Sequence, residues 1–224
     1  MKSRILVLAA HPDDEVLGCG GALARHAEEG AVIHVAFLAD GVTARDVVDH
    51  EAIDARRDAA RRALAELGVV SFSFGDLPDN RLDTVPLLDI VKLAEAQIAT
   101  HRPDTLYTHH AGDVNVDHRR LHDAVIAATR PQVGQSVRTL LFFEVASSTE
   151  WQPPGSAPVF APNWFVDIGP QLERKLRAID AYAVEMRLWP HPRSRQGVEH
   201  LARWRGATIG AEAAEAFILG RRIA

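Results

Sequence analysis

Near the start of the chain, Ala10-His11-Pro12-Asp13-Asp14-Glu15 puts four ionisable side chains into five consecutive positions. They follow the apolar run from Arg4 to Ala10, so they stand at the tip of what reads as a buried strand, where packing gives no reason for them. Adjacent carboxylates repel unless a cation or a helix N-terminus compensates. A helix N-terminus alone would account for the acids, which are favoured in a first helical turn, but it leaves His11 unexplained. A divalent metal accounts for the whole set. His11 and Asp14, three apart around a helix start, can point at one ion and leave Asp13 free to face the attacking water.

A second group lies between Tyr107 and Asp123, where His109, His110, Asp113, Asp117, His118 and His122 follow another strand-like segment. His118 can supply a third ligand, with Asp117 and Asp113 placed to orient it or the site. Two histidines, one carboxylate and an open position form a typical catalytic zinc set. Structural zinc sites usually fill all four places with protein, mostly cysteine, and this chain has only Cys19. His122, one turn beyond His118, reads as an ordinary packing or surface residue.

The same corner admits a rival reading. Gly18-Cys19-Gly20-Gly21 lies in the first strand–helix unit, and Asp40 follows the second strand, where an acid could bind the ribose of a dinucleotide. The glycines, however, fall inside the expected helix and not in the turn before it. The turn itself holds Asp13, Asp14 and Glu15, which would repel a pyrophosphate. Close packing of helix on sheet explains the small residues better, with Cys19 a buried small residue.

The elements that must position these groups alternate. Strands are expected at Arg4 to Ala10, Ala31 to Leu38, Val69 to Phe74, Thr105 to Thr108, Thr139 to Val145 and Trp164 to Ile168. Helices are expected at Val16 to Glu29, Glu51 to Leu67, Leu87 to Thr100 and His118 to Thr129, with two more helical segments after Ile168. This spacing predicts an α/β protein: a single Rossmann-like domain over residues 1–224, its mainly parallel sheet covered by helices on both faces. In such sheets the loops at the carboxyl ends of the strands build the ligand site, and both ionisable groups fall in those loops.

Composition excludes several partners. Of the 224 residues, 47% are apolar and 25% charged, and the net charge is −5. Without a lysine and arginine stripe, nucleic acid and anionic membrane surfaces are poor partners. No apolar run is long enough for a membrane span, no signal-peptide cleavage site is visible at the N-terminus, and a lone cysteine suits a reducing cytoplasm.

Ala10 to Glu15, taken with Gly112-Asp113-Val114-Asn115-Val116-Asp117-His118, resembles the PIG-L (LmbE-like) family of zinc-dependent N-deacetylases. Further stretches carry the likeness through nearly the whole chain: Ala39 to Thr43, Gly75 to Arg81, Glu144 to Trp151, and His191-Pro192-Arg193-Ser194. The resemblance implies hydrolysis of an N-acyl bond, acetyl foremost, on an amino sugar or sugar conjugate. It implies one Zn²⁺ per chain on His11, Asp14 and His118, although Fe²⁺ or Co²⁺ suits the same donors. Asp13 matches the general base. Arg45, Asn115 and Asp113 are the candidate substrate-binding residues, and Asp117 supports the ligands from behind. Val42, Trp151 and Trp189 could line the pocket but fit a core equally well.

One position departs from the pattern. Many members carry histidine three residues before the ligand histidine, where this chain has Asn115, which can donate a hydrogen bond but cannot carry a proton. Another group must then assist at the acyl oxygen or the leaving amine. His191 is the catalytic candidate, matching a late histidine that in some members reaches across a subunit interface and so allows a homo-oligomer; His109 and His110 are the other candidates. The alternatives to a sugar deacetylase are an amidase acting on a larger conjugate, a deformylase, and a metal- or sugar-binding protein without turnover.

Overall fold

The computed structural model describes residues 2–42, 44 and 50–224. Strands β1 (Arg4–Ala9), β2 (Val32–Ala39), β3 (Ser71–Leu77), β4 (Thr105–His109), β5 (Thr139–Phe143), β6 (Trp164–Asp167) and β7 (Ala214–Arg222) form one sheet. Its order is β3-β2-β1-β4-β5-β7-β6. The first five strands run parallel, and β7 lies antiparallel between β5 and β6. Among the described residues the helices are α1 (Asp14–Glu28), α2 (His50–Leu67), α3 (Leu87–His101), α4 (Val116–Ala128), α5 (Leu172–Asp180) and α6 (Arg195–Ala207). None of these is long and apolar enough to cross a membrane.

Alternation along β1 explains the layering. Ile5, Val7 and Ala9 face a core shared with α1, α2, α5 and α6, while Leu6, Leu8 and Ala10 face a second core with α3 and α4. A strand buried on both faces must read as a continuous apolar run, which is how β1 reads.

The order of the central strands fixes where a ligand can sit. Chain order runs outward from β1 to β2 and β3 on one side, and from β4 to β5 on the other, so the topology switches between β1 and β4. Ile5 pairs with Thr105 and Val7 with Tyr107. The loop after β1 therefore lies beside the loop after β4, at the crevice where open α/β sheets place ligands.

Helix α1 serves that crevice in an unusual form. Its backbone leaves helical geometry at Cys19 (φ −146°), which frees amide groups on the far side of the kink. Glu215 of β7 takes two of them, accepting from the N–H groups of Gly21 (2.8 Å) and Ala22 (2.7 Å). Lys175 of α5 closes the arrangement, donating to the Leu17 carbonyl (3.0 Å) and to Glu215 (2.5 Å). Gly18 and Gly21 pack against Phe143 and Ile168, where a Cβ on Gly21 would come within 2.6 Å of Ile168. The glycines thus permit close helix-to-sheet packing, as the sequence suggested.

Two expectations change. The final segment was expected to end in helix, yet after α5 and α6 the chain forms β7. Ala-Glu-Ala composition favours helix, but pairing with both β5 and β6 overrides it. Helix α1 also begins at Asp14, two residues before the expected start, which brings the acidic pair into its first turn.

Candidate metal centre and active site

The chain enters α1 through a strained residue. Asp13 has φ +123°, a conformation that costs a non-glycine residue about 1–3 kcal/mol and persists only where its surroundings enforce it. Here Glu15 accepts from the Asp13 N–H (3.0 Å) and from the Tyr182 hydroxyl (2.7 Å). Burial pushes the Glu15 carboxyl up to about 8, against those two donors. Its neighbour Asp14 turns back so that Oδ2 accepts from the His11 N–H at 2.8 Å.

His11, Asp14 and His118 converge from two loops. His11 Nδ1 lies 3.3 Å from Asp14 Oδ2, and His118 Nε2 lies 3.3 Å from Asp14 Oδ1. One donor atom from each of the three falls within 4.8 Å of the others. The opposite nitrogens face acids behind them. His11 Nε2 donates to Asp117 (2.9 Å) and lies 3.1 Å from Asp79, and His118 Nδ1 lies 3.1 Å from Asp113, close but misaligned for a hydrogen bond. Burial opposes charge on both imidazoles, yet the facing carboxylates outweigh it, raising His11 well above its ordinary range and His118 to about 9. A field that holds protons so firmly also suits a cation, and two imidazoles plus one carboxylate are the donors of a catalytic zinc site. His11, Asp79 and Asp117 form a second close group, but Asp117 is committed elsewhere. Its two oxygens accept from the N–H groups of Asn80 (2.7 Å) and Leu82 (2.9 Å).

Asp113 has no exposed surface. Its carboxylate accepts from Ser148, from Thr149 Oγ1 (2.8 Å) and from the Asn115 N–H (2.8 Å). Burial would raise it, but His118 and these donors hold it well below the usual carboxylate range. It stands behind His118 and does not form the cavity wall, which departs from the expected substrate contact. Asn115 does line the cavity. Its side-chain oxygen caps α4 at the Asp117 N–H (2.8 Å), and its amide nitrogen donates to Asn80 (3.2 Å).

The cavity has a volume of about 320 Å³, and His11, Asp13, Asp14, His118, Arg56 and Arg193 line it. Asp13 is buried beside both arginines: Arg56 Nη2 (3.3 Å) and Arg193 Nη1 (3.2 Å) approach the same oxygen, Oδ2. Burial raises the Asp13 carboxyl, opposed by those two cations. Burial also works on Asp14, but the surrounding histidines hold it well below its ordinary value.

The remaining expected residues fall elsewhere. His191 does not line this cavity; its Nδ1 accepts from the Arg193 N–H (3.1 Å), and its ring meets Trp151 edge-on. His109 Nε2 accepts from the Ala10 N–H (2.9 Å) while the ring stacks on His118 at 3.9 Å. His110 bonds the Pro158 carbonyl, and His122 bonds the His109 carbonyl, a packing role as expected. Val42 is buried, whereas Trp151 and Trp189 are about half exposed. Arg45 lies outside the described residues. Arg56, Glu185 and Arg193 were missed: in an Ala/Arg-rich helix nothing local distinguishes Arg56 from Arg57, and Arg193 stood in a stretch whose histidine drew attention first.

Known proteins resemble this chain over half of its length or more. The uncharacterized deacetylase YaiS of Escherichia coli K12 is 33% identical over 136 residues, spanning 58% of this chain and 70% of that protein. A 4-oxalmesaconate hydratase of Pseudomonas putida is 28% identical over 213 residues, 83% of this chain and 75% of the other. The solved structure of the conserved protein TT1542 from Thermus thermophilus superposes with a TM-score of 0.77 at 27% identity, covering 99% and 96% of the two chains. Residues 6–129 match the family described as PIG-L, GlcNAc-PI de-N-acetylase, and the chain belongs to that family.

Proposed function

We propose that this chain is a metal-dependent amide hydrolase that removes an N-acyl group, acetyl foremost, from an amino sugar or sugar conjugate. The observation that carries the reading is the meeting of His11, Asp14 and His118 beside the buried carboxylate of Asp13 in one cavity. A divalent cation held by those three residues, zinc by preference and iron(II) or cobalt(II) on the same donors, supplies Lewis acidity that acidifies water and polarises a carbonyl.

The protein's own groups do the rest. Hydrolysis joins the oxygen of water to the acyl carbon. One proton passes to Asp13 and from there to the amide nitrogen as the carbon–nitrogen bond breaks, leaving a carboxylic acid and a free amine. Burial, which raises Asp13, brings it closer to the basicity such a shuttle needs. Asp113 and Asp117 orient His118 and His11 from behind. Asn115, its oxygen spent on the α4 cap and one amide hydrogen on Asn80, has its other amide hydrogen for a substrate hydroxyl or carbonyl. Residues 1–224 work as one domain, since β7 completes the sheet and Arg193 reaches back to Asp13 from beyond the family match.

Screening metal-loaded protein against N-acetylated and N-formylated amino sugars for primary amine release tests this reading. Turnover of at least one is expected; release from none would remove it. Similarity to the hydratase favours a second reading, water addition to an unsaturated acid, for which Arg193 in the cavity wall would suit an acidic substrate. Unsaturated carboxylic acids in the same screen, followed by ultraviolet absorbance, separate the two.

A further inference from the structure

Asp13 is gripped at one oxygen by two arginines that differ in freedom. Arg56 is fully engaged: Nε donates to the Pro12 carbonyl (3.0 Å), Nη1 to the Gly41 carbonyl (2.6 Å), and Nη1 also pairs with Glu185 at 3.3 Å. Its side chain is 10% exposed. Arg56 therefore fixes the loop after β1 and has little left to offer a ligand.

Arg193 is held differently. Nε donates to Ser147 Oγ (3.0 Å) and Nη1 to Asp13 (3.2 Å), while Nη2 has no partner among the described residues. Its side chain is 21% exposed and lines the cavity that His11, Asp14 and His118 also line. The backbone beneath it is firm: His191 accepts the Arg193 N–H, and Ser194 Oγ caps α6 at the Gly197 N–H (2.9 Å). The partner Ser147 itself sits at φ +65°. Two stretches that the sequence analysis singled out without assigning a partner, Glu144 to Trp151 and His191 to Ser194, thus meet at this guanidinium.

We propose that Arg193 is a further catalytic residue of the hydrolysis proposed above, on which this inference rests. It holds the base Asp13 through Nη1 and offers Nη2 to the acyl oxygen as negative charge develops there. A guanidinium presents its donors as a rigid planar fork. A substrate oxygen bound at Nη2 therefore lies next to the carboxylate held at Nη1, as attack on that acyl carbon by a water deprotonated at Asp13 requires. Arginine stays protonated, so it stabilises charge without moving a proton; the proton for the leaving amine still comes from Asp13. Arg193 thereby supplies the electrophilic help that Asn115 cannot supply in full, and it does so from the loop where the sequence pointed to His191.

The test compares wild type with Arg193→Gln, Arg193→Lys and Arg193→Ala on whichever N-acyl sugar the wild type cleaves, measuring metal content and thermal midpoint on the same samples. Arg193→Gln should lower kcat about 10²–10³-fold, the usual cost of one lost oxyanion donor. KM should move far less, with metal and midpoint held. Arg193→Lys should recover part of kcat, and free guanidinium at non-denaturing concentration should partly rescue Arg193→Ala. Near wild-type kcat in Arg193→Gln, or a loss that tracks metal or midpoint and resists rescue, overturns the assignment while leaving the hydrolase reading intact. A wild type that cleaves no N-acyl sugar overturns both.

Discussion

At the residue scale, the site depends on carboxylates whose surroundings give them different work. Asp14 is held ionised by histidines. Asp13 is raised by burial and steadied by arginines, and Asp117 spends both oxygens on backbone amides while facing His11. Asp117 should therefore matter to the metal without touching it. Replacing it by Asn removes one acceptor and sets an amide against a backbone N–H or the His11 ring. Metal affinity of Asp117→Asn should fall about 10–100-fold, as for other groups that orient ligands from behind. Competition with a chromophoric chelator measures this; an unchanged Kd would mean His11 needs no such support.

At the element scale, the kink in α1 lets one helix do two jobs. Its first turn carries Asp14 into the crevice, and the part beyond Cys19 packs its small residues on the sheet. Glu215 and Lys175 hold the break closed from β7 and α5. Glu215→Ala would leave two buried amides unpaired and strand Lys175 as a buried cation, so urea unfolding should show a loss of about 3–5 kcal/mol. A loss below about 1 kcal/mol, the worth of an exposed pair, would mean the kink holds without it. This device was invisible in the sequence, because Glu215 and Lys175 sit 40 residues apart in segments with helix-favouring composition. The proposed metal ligands were legible for the opposite reason: each group is local, follows an apolar strand and precedes a helix. Topology then needed only to set β1 beside β4. Arg56 and Arg193 act on Asp13 across 43 and 180 residues; no local pattern separates Arg56 from the other arginines of its helix, and the stretch from His191 to Ser194 carried nothing that tied Arg193 to Asp13.

At the scale of the whole molecule, acid sensitivity should arise away from the crevice as well as in it. His34 in β2 is buried, hydrogen-bonded to Ser71 (2.7 Å) and Ser73 (3.1 Å) of β3, and stacked on His101 at 3.6 Å. Burial, and then His101, push it down to about 4. The unfolded chain binds that proton more readily, so stability is full above about pH 6.5 and declines as pH falls toward 4, by at most about 1.4 kcal/mol per pH unit. A His34→Gln variant should show a shallower fall in unfolding free energy between about pH 6.5 and pH 4 than the wild type. Parallel curves would show that His34 titrates alike in both states.

The central claim joins chemistry to the metal centre through Asp13, and one measurement bears on it most directly: amine release by Asp13→Asn with metal content determined on the same sample. The amide cannot take a proton from water, but it leaves His11, Asp14 and His118 in place. The variant should keep the wild-type metal content, about one ion per chain, and lose activity about 10²–10⁴-fold. A metal-bearing Asp13→Asn that turns over substrate at near the wild-type rate would contradict the account, reducing Asp13 to a residue that merely starts a helix.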